Sequence, residues 1–177
     1  FRPPPRQSTR ATAQAVASGS QAIAQLWRML GRRPDPVMVA GERELAGRVV
    51  SAETSLACLF RLGVQQGVYA EVDVVRRRNL IEGDALPVSQ LIEVAPEFGL
   101  TAQRARLDWS ALRTRPFAYP LLLLLENGNA VTLMGTRRDG PEQVAISDPL
   151  FHDGEIFFLA RTDLEKAWSG AALILTP

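Results

Sequence analysis

Side chains able to do covalent or metal chemistry are scarce in this chain, which has one cysteine, Cys58, and one histidine, His152. A lone thiol excludes an internal disulfide framework and any zinc centre built on several thiolates. A lone imidazole does the same for a metal cluster of the usual histidine kind. No metal and no cofactor is expected. Cys58 lies in a run of leucine and alanine on an expected buried face, the setting of a small core residue. His152 follows Asp148-Pro149 in a turn and reads as a surface or loop residue, with a displaced general base as the alternative. A threonine hydroxyl, the other type of nucleophile available, is poor unless a neighbouring base takes its proton.

The elements that must position such groups are legible from periodicity. Pro120 opens five leucines, Leu121 to Leu125, too few to span a bilayer but right for a strand buried on both faces. Glu126-Asn127-Gly128-Asn129 is a hairpin turn signal, because Asn and Gly tolerate positive φ. Ala130 to Met134 then reads as the returning strand and Val144 to Ser147 as a third, ended by Asp148-Pro149. Upstream, Ser51 precedes an apolar helical pattern through Leu56, Leu59 and Phe60 that ends at Gly67. A second helix is expected over Tyr69 to Asn79. Pro87 suits the first turn of a third, with Val88, Leu91, Ile92 and Ala95 inward and Gly99 as its stop. Leu100 to Leu107 alternates like a half-buried strand, and Asp108 caps a short helix from Trp109 to Arg113. Downstream, Asp153-Gly154 turns into a strand from Glu155 to Ala160. Thr162 is read as the cap of a brief helix through Ala167, and Ala171 to Thr176 as a closing strand. Helices first and five or six antiparallel strands after them give an α+β layout.

The bulk numbers narrow the function classes. The 177 residues fit one domain with an appendage, and a hydrophobic fraction of 46% supports a full core. The net charge of +1 gives no reason to expect nucleic acid as a partner. Every one of the 20 basic residues except Lys166 is arginine, which reads as the compositional bias of a GC-rich genome, since no basic stripe with interleaved aromatics occurs. Arg76-Arg77-Arg78 is a solvated face. Residues 1–36 form an N-terminal arm, with a Pro- and Arg-rich start, a helix-prone stretch from Thr12 to Leu30, and the linker Gly31-Arg32-Arg33-Pro34-Asp35-Pro36. The chain begins at Phe1 rather than Met, as a piece or a processed form of a longer chain would.

The order of the remaining signals carries a resemblance. Glu53-Thr54-Ser55-Leu56-Ala57-Cys58-Leu59 opens a helix, followed by Gly99-Leu100, Pro120, Asn129-Ala130-Val131-Thr132, Asp148-Pro149 and Trp168-Ser169-Gly170. From about residue 49 to 176 the chain resembles the papain-like, bacteriocin-processing (double-glycine leader) peptidase domain at the N-terminus of some bacterial ABC exporters. The resemblance implies a papain-like cysteine-peptidase fold for residues 37–177, with N-terminal helices packed on a five- or six-stranded antiparallel sheet. It also places the family's catalytic roles. The nucleophilic cysteine falls on Thr54, the second, structural cysteine on Cys58, and the general-base histidine on Asn129. The oxyanion-hole glutamine falls on Arg48, and the residue that orients the imidazole on Asp148. A thiolate site works as a unit, so with Thr54 and Asn129 in place of nucleophile and base the resemblance implies no peptidase activity.

What it implies instead is a binding module of a type I secretion ABC transporter, on the cytoplasmic face of the bacterial inner membrane. There it would hold an unfolded toxin or adhesin before export, in a chain continuing into transmembrane and nucleotide-binding domains. Tyr69, Trp109, Phe117 and Tyr119 are the candidate aromatic anchors for that substrate, each equally readable as core. A stand-alone regulatory or adaptor domain of the same fold, and an active hydrolase with a threonine nucleophile, are the alternatives.

Overall fold

A computed structural model of the chain describes residues 45, 47–114, 120–137 and 139–177. The expected arm helix, the linker, the start of the domain near Val37, and both Phe117 and Tyr119 lie outside these residues.

The first helix begins where its sequence signal puts it. The Ser51 hydroxyl accepts the Thr54 N–H at 3.3 Å, closing the N-terminus of α1, Ala52–Gln65. Leu56, Leu59 and Leu62 recur at helical spacing and are buried. Helix α2 covers Val72–Arg78, shorter than expected at its N-terminal end. Helix α3 covers Val88–Val94, and Pro87 occupies its N-cap rather than its first turn, with φ −61° and ψ 139°. A 3-10 turn over Ala95–Phe98 follows, and Gly99 ends it at φ 71°. A side chain there would be strained by that φ, and its Cβ would come within 2.6 Å of Val68.

The strands among the described residues are β1 Val49–Ser51, β2 Ala85–Pro87, β3 Thr101–Arg106, β4 Leu121–Leu124, β5 Ala130–Thr136, β6 Gln143–Ser147, β7 Ile156–Ala160 and β8 Ala171–Thr176. Helix α4, Trp109–Thr114, follows β3, with the Asp108 carboxylate accepting the Ala111 N–H at 2.6 Å. Helix α5, Arg161–Ala167, follows β7. Its N-cap is Ala160, with no side-chain cap, so Thr162 sits inside the first turn rather than at the cap. The start is fixed instead by Arg161, whose N–H donates to the Glu142 carbonyl at 2.9 Å and whose guanidinium meets Glu165 at 2.9 Å.

All pairings are antiparallel, in a two-stranded ribbon β1-β2 and a six-stranded sheet ordered β3-β8-β4-β5-β6-β7. The β4-β5-β6-β7 meander runs in sequence order, and β8 returns from the far end of the chain to close against β4. Apolar clusters form on both sheet faces. Leu122, Leu124, Leu173 and Leu175 pack with α1, α3 and Phe98 on one face. Leu121, Leu123, Leu133 and Val144 pack with Trp109, Leu112, Leu164 and Trp168 on the other. The leucine run therefore serves two cores at once, and all four β4 side chains are buried.

Because each β4 leucine fills a close-packed site, truncation on either face should cost about the same. Leu123→Ala and Leu124→Ala are each expected to lower stability by about 2–5 kcal/mol in urea unfolding. A loss under about 1 kcal/mol for either would contradict its burial.

Candidate functional site

Thr54 and Asn129, on which the resemblance places nucleophile and base, lie where α1 meets the start of β5. Gly128, at φ 88°, lets the β4–β5 turn close, and the Asn127 side chain accepts the Asn129 N–H at 3.0 Å. The turn is fastened to the start of α1 by the Ser51 N–H, which donates to the Gly128 carbonyl at 2.8 Å. Asp84 completes this end of the helix from a distant loop. Its carboxylate accepts the Glu53 N–H at 2.7 Å and the Ser51 hydroxyl at 3.0 Å, and its carbonyl accepts the Ala52 N–H at 2.8 Å.

Ala130 explains what Thr54 and Cys58 do. The Leu125 N–H donates to the Asn129 carbonyl at 2.9 Å, so Leu125 and Asn129 form a hydrogen-bonded pair. The next pair, Leu124 with Ala130, is then a non-bonded one, and the Ala130 N–H and C=O turn away from β4 toward β6. Strand β6 ends at Ser147, opposite Thr132, so the ladder does not reach Ala130, and Pro149, two steps further on, has no N–H for the Ala130 carbonyl. Helix α1 supplies the missing partners. Thr54 Oγ1 accepts the Ala130 N–H at 2.9 Å, and Cys58 Sγ, one turn on, lies 3.6 Å from the Ala130 carbonyl as its donor. Thr54 is 1% exposed.

Burial pushes the Cys58 thiol up to about 12, with the negative charge of Asp148 adding to the effect and the Thr132 hydroxyl and Arg61 opposing it. A thiol so held is neutral and unreactive at physiological pH, as the core reading expects. Asp148 is half-buried, and its carboxylate accepts the Leu150 N–H at 2.9 Å in the turn after β6. Arg48 is half-buried, and its guanidinium donates to the Leu125 carbonyl at 2.8 Å, the Leu124 carbonyl at 3.3 Å and the Glu126 carboxylate at 3.4 Å. The Ser169 hydroxyl and then Arg48 hold the Glu126 carboxyl below its ordinary range. His152 is exposed on a 3-10 turn, edge-on to Phe151 with ring centroids 4.2 Å apart.

Of the aromatic candidates, Tyr69 and Trp109 lie among the described residues, and their surroundings differ. Tyr69 is 75% exposed in the segment between α1 and α2. Trp109 is only 7% exposed, within the cluster on the other sheet face, and its indole N–H donates to Glu142 at 3.3 Å while Arg161 lies 5.3 Å over its ring. It serves as core and not as an open anchor. Asp84 and Ala130 had no signal of their own in the sequence. Among the described residues no group of three or more His, Cys, Asp or Glu side chains could hold a metal ion.

Comparison with known proteins bears on the fold. The sequence profile of the Peptidase C39 family matches residues 45–177. No curated protein sequence matches the chain. A double glycine motif protease from an AMS/PCAT transporter, solved in complex with the leader peptide, superposes with a TM-score of 0.60 at 18% identity, over 74% of this chain and 89% of that one. The peptidase domain of Streptococcus ComA, a bi-functional ABC transporter involved in a quorum sensing pathway, gives 0.60 at 15% identity, over 73% and 98%. The N-terminal peptidase C39 like domain of the toxin secretion ATP-binding protein from Vibrio parahaemolyticus gives 0.53 at 16%, over 70% and 95%.

Thr54→Val keeps the shape of the side chain but removes the acceptor for a buried N–H, so it should cost about 1–3 kcal/mol in chemical unfolding, with Thr54→Ser sparing most of it. Equal stability of the valine variant would show that the Ala130 N–H has another partner. Cys58 should react with a thiol reagent only after denaturation. Its raised pKa also has a stability sign: the contribution is full below about pH 9 and is lost as pH climbs toward about 12. Stability should therefore fall less steeply over that alkaline window in Cys58→Ala than in the parent.

Proposed function

The chain belongs to the Peptidase C39 family, and from that premise we propose that it is a non-catalytic peptidase-like domain of a type I secretion ABC transporter. Its task on this reading is to hold the unfolded toxin or adhesin on the cytoplasmic side of the inner membrane before export. The observation that carries the reading is the bond between Thr54 and Ala130. A nucleophile needs an oxygen open to substrate and a base to take its proton. Thr54 Oγ1 is enclosed and already accepts the Ala130 N–H, and Asn129 has no basic nitrogen to offer.

The other aligned positions support the same conclusion. Arg48 spends its guanidinium on the carbonyls at the end of β4, and Asp148 spends its carboxylate on its own turn. Thr54, Arg48 and Asp148 thus each bond to backbone of the protein itself. The transporter context comes from the structural neighbours, which are peptidase or peptidase-like domains of ABC transporters and of a toxin secretion protein. No helix among the described residues is long and apolar enough to cross a membrane.

An extended chain awaiting export must be retained and then released, which sets the affinity near micromolar, roughly −8 kcal/mol. Incubation with a double-glycine leader peptide, followed by mass spectrometry, should show no cleavage. Cleavage abolished by Thr54→Ala would overturn the non-catalytic reading. Titration with a calcium-binding repeat fragment should show binding in chelator, where the repeats are unfolded, and little in calcium. Equal binding in both states would refute the holding role. Tyr69→Ala should weaken the chelator-state affinity, whereas Trp109→Ala should act on thermal stability first.

A further inference from the structure

The two outer edges of the six-stranded sheet are unlike each other. Strand β3 reads Thr-Ala-Gln-Arg-Ala-Arg, and its arginines are the kind of side chain that guards an edge against strand addition. Strand β7 reads Ile-Phe-Phe-Leu-Ala, without a charge or a proline. Among the described residues no strand pairs with its outer side. Ile156 is 50% and Phe158 62% exposed. An uncharged edge of this sort is a template for another strand.

The backbone parity of that edge follows from the ladder. The Arg161 N–H donates to the Glu142 carbonyl, and the β6–β7 register runs Gln143 with Ala160 through Ser147 with Ile156. Odd-numbered residues of β7 thus hydrogen-bond to β6, while Ile156 and Phe158 turn their N–H and C=O groups outward and Ala160 its N–H, the Ala160 C=O being taken, as N-cap, by the first turn of α5. An antiparallel partner centred on Phe158 would engage both groups of Phe158, the C=O of Ile156 and the N–H of Ala160 at once. For two identical strands that register sets Phe158 opposite Phe158, Ile156 opposite Ala160, and Glu155 opposite Arg161. The flanking charges are therefore complementary under two-fold symmetry. Shifting the register two residues in sum loses this match, since Glu155 then faces Leu159 or Asp163. Arg161 is already held in place by Glu142, Glu165 and the Trp109 ring, so its position is set before any partner arrives.

We propose that β7 is a self-association edge, pairing antiparallel about Phe158 with the β7 of a second copy of this chain to make a continuous twelve-stranded sheet across a two-fold axis. Such an interface is isologous, the same patch on both subunits. The outward N–H and C=O of Phe158, the C=O of Ile156 and the N–H of Ala160 supply its hydrogen bonds, and the exposed Ile156 and Phe158 side chains its apolar contact.

The test uses the whole chain in solution. Sedimentation equilibrium up to about 100 µM should show a mass that rises from monomer toward dimer by mass action. Phe158→Lys places a charge on an already exposed side chain, so thermal unfolding at concentrations low enough for both chains to be monomeric should be unchanged, while dimer dissociation increases at least about tenfold. Phe158→Cys supplies the direct reading of register. Opposed residues of a hydrogen-bonded pair have Cα atoms about 5.5 Å apart, within the span a disulfide bridges, and Cys58 is buried and does not compete. Oxidation should give a covalent dimer from Phe158→Cys and none from Gln103→Cys on the β3 edge. A monomer at every concentration, a dimer indifferent to Phe158→Lys, or equal cross-linking from both cysteine variants would each overturn the proposal. So would a chain that stays monomeric alone and protects its β7 amides only when an unfolded secretion substrate is added, which would assign the edge to that substrate.

Discussion

The contact on which the rest of this domain depends is the one between helix α1 and the peptide group of Ala130. At that point the sheet stops being able to satisfy itself. Strand β6 ends in Asp148-Pro149, the proline lacks an N–H, and the Ala130 donor and acceptor face a gap in the ladder. A buried peptide group left unpaired costs about 1–3 kcal/mol for each polar atom. Thr54 and Cys58, four residues apart and so on one face of α1, reach across with a hydroxyl and a thiol. This bond fixes the rotation of α1 about its axis and its height along β5. Once those are set, Leu56 and Leu59 have only one face of the sheet to fill.

Other constraints then follow from the position of α1. Its N-terminus needs partners for its free N–H groups, and these come from Ser51 and from Asp84, which lies in the loop before β2. That requirement draws the loop toward the helix start and lets β2 pair with β1. The β4–β5 turn is held from the same place, through Ser51 to the Gly128 carbonyl. A site that could have presented a reactive side chain to a substrate is occupied by hydrogen bonds that hold helix, turn and sheet together. In the family pattern this junction must stay open enough for a nucleophile to meet a scissile bond. Here the threonine hydroxyl and the half-buried Arg48 side chain each bind backbone atoms of the protein itself.

How much of this could be read from the sequence depends on how local each cause is. The Ser51 cap, the leucine run, the Asn-Gly turn, Asp108 before α4 and the αL stop at Gly99 all act within a few residues, and each stands where its signal puts it. The strand β7 was legible for the same reason, through its Asp153-Gly154 turn. The ribbon of β1 with β2 was not, because strands of three residues carry no readable period. Asp84 acts on residues more than thirty positions away, and an aspartate in a loop looks like any other. Thr162 failed as a cap because the helix start is set by Arg161 and by the Glu142 carbonyl, neither of which a cap preference takes into account. Trp109 could be named as an aromatic anchor or as core, and only the folded arrangement, with α5 and Glu142 over it, decides the matter. That Ala130 turns away from β4 at the point where β6 has ended depends on the β4–β5 and β5–β6 registers together, which no local sequence signal specifies.

The face of the sheet away from α1 is held by a different balance. There Glu142 receives the Trp109 indole and the guanidinium groups of Arg113 and Arg161, and Arg161 also meets Glu165. These charges are exposed, and exposed pairs contribute little each because water and salt screen them. The burial of the Trp109 ring is the larger effect, since an aromatic side chain of that size removes roughly 150–250 Å² from water. The ion pairs serve to orient rather than to stabilise. They set α5 against the end of β7 and keep Arg161 fixed over the indole, and the Arg161 N–H then defines which β7 residues face β6. The outward parity of Ile156 and Phe158 on the open edge is thus a consequence of how the second core is closed. Attachment at one end of β7 determines what its free side presents.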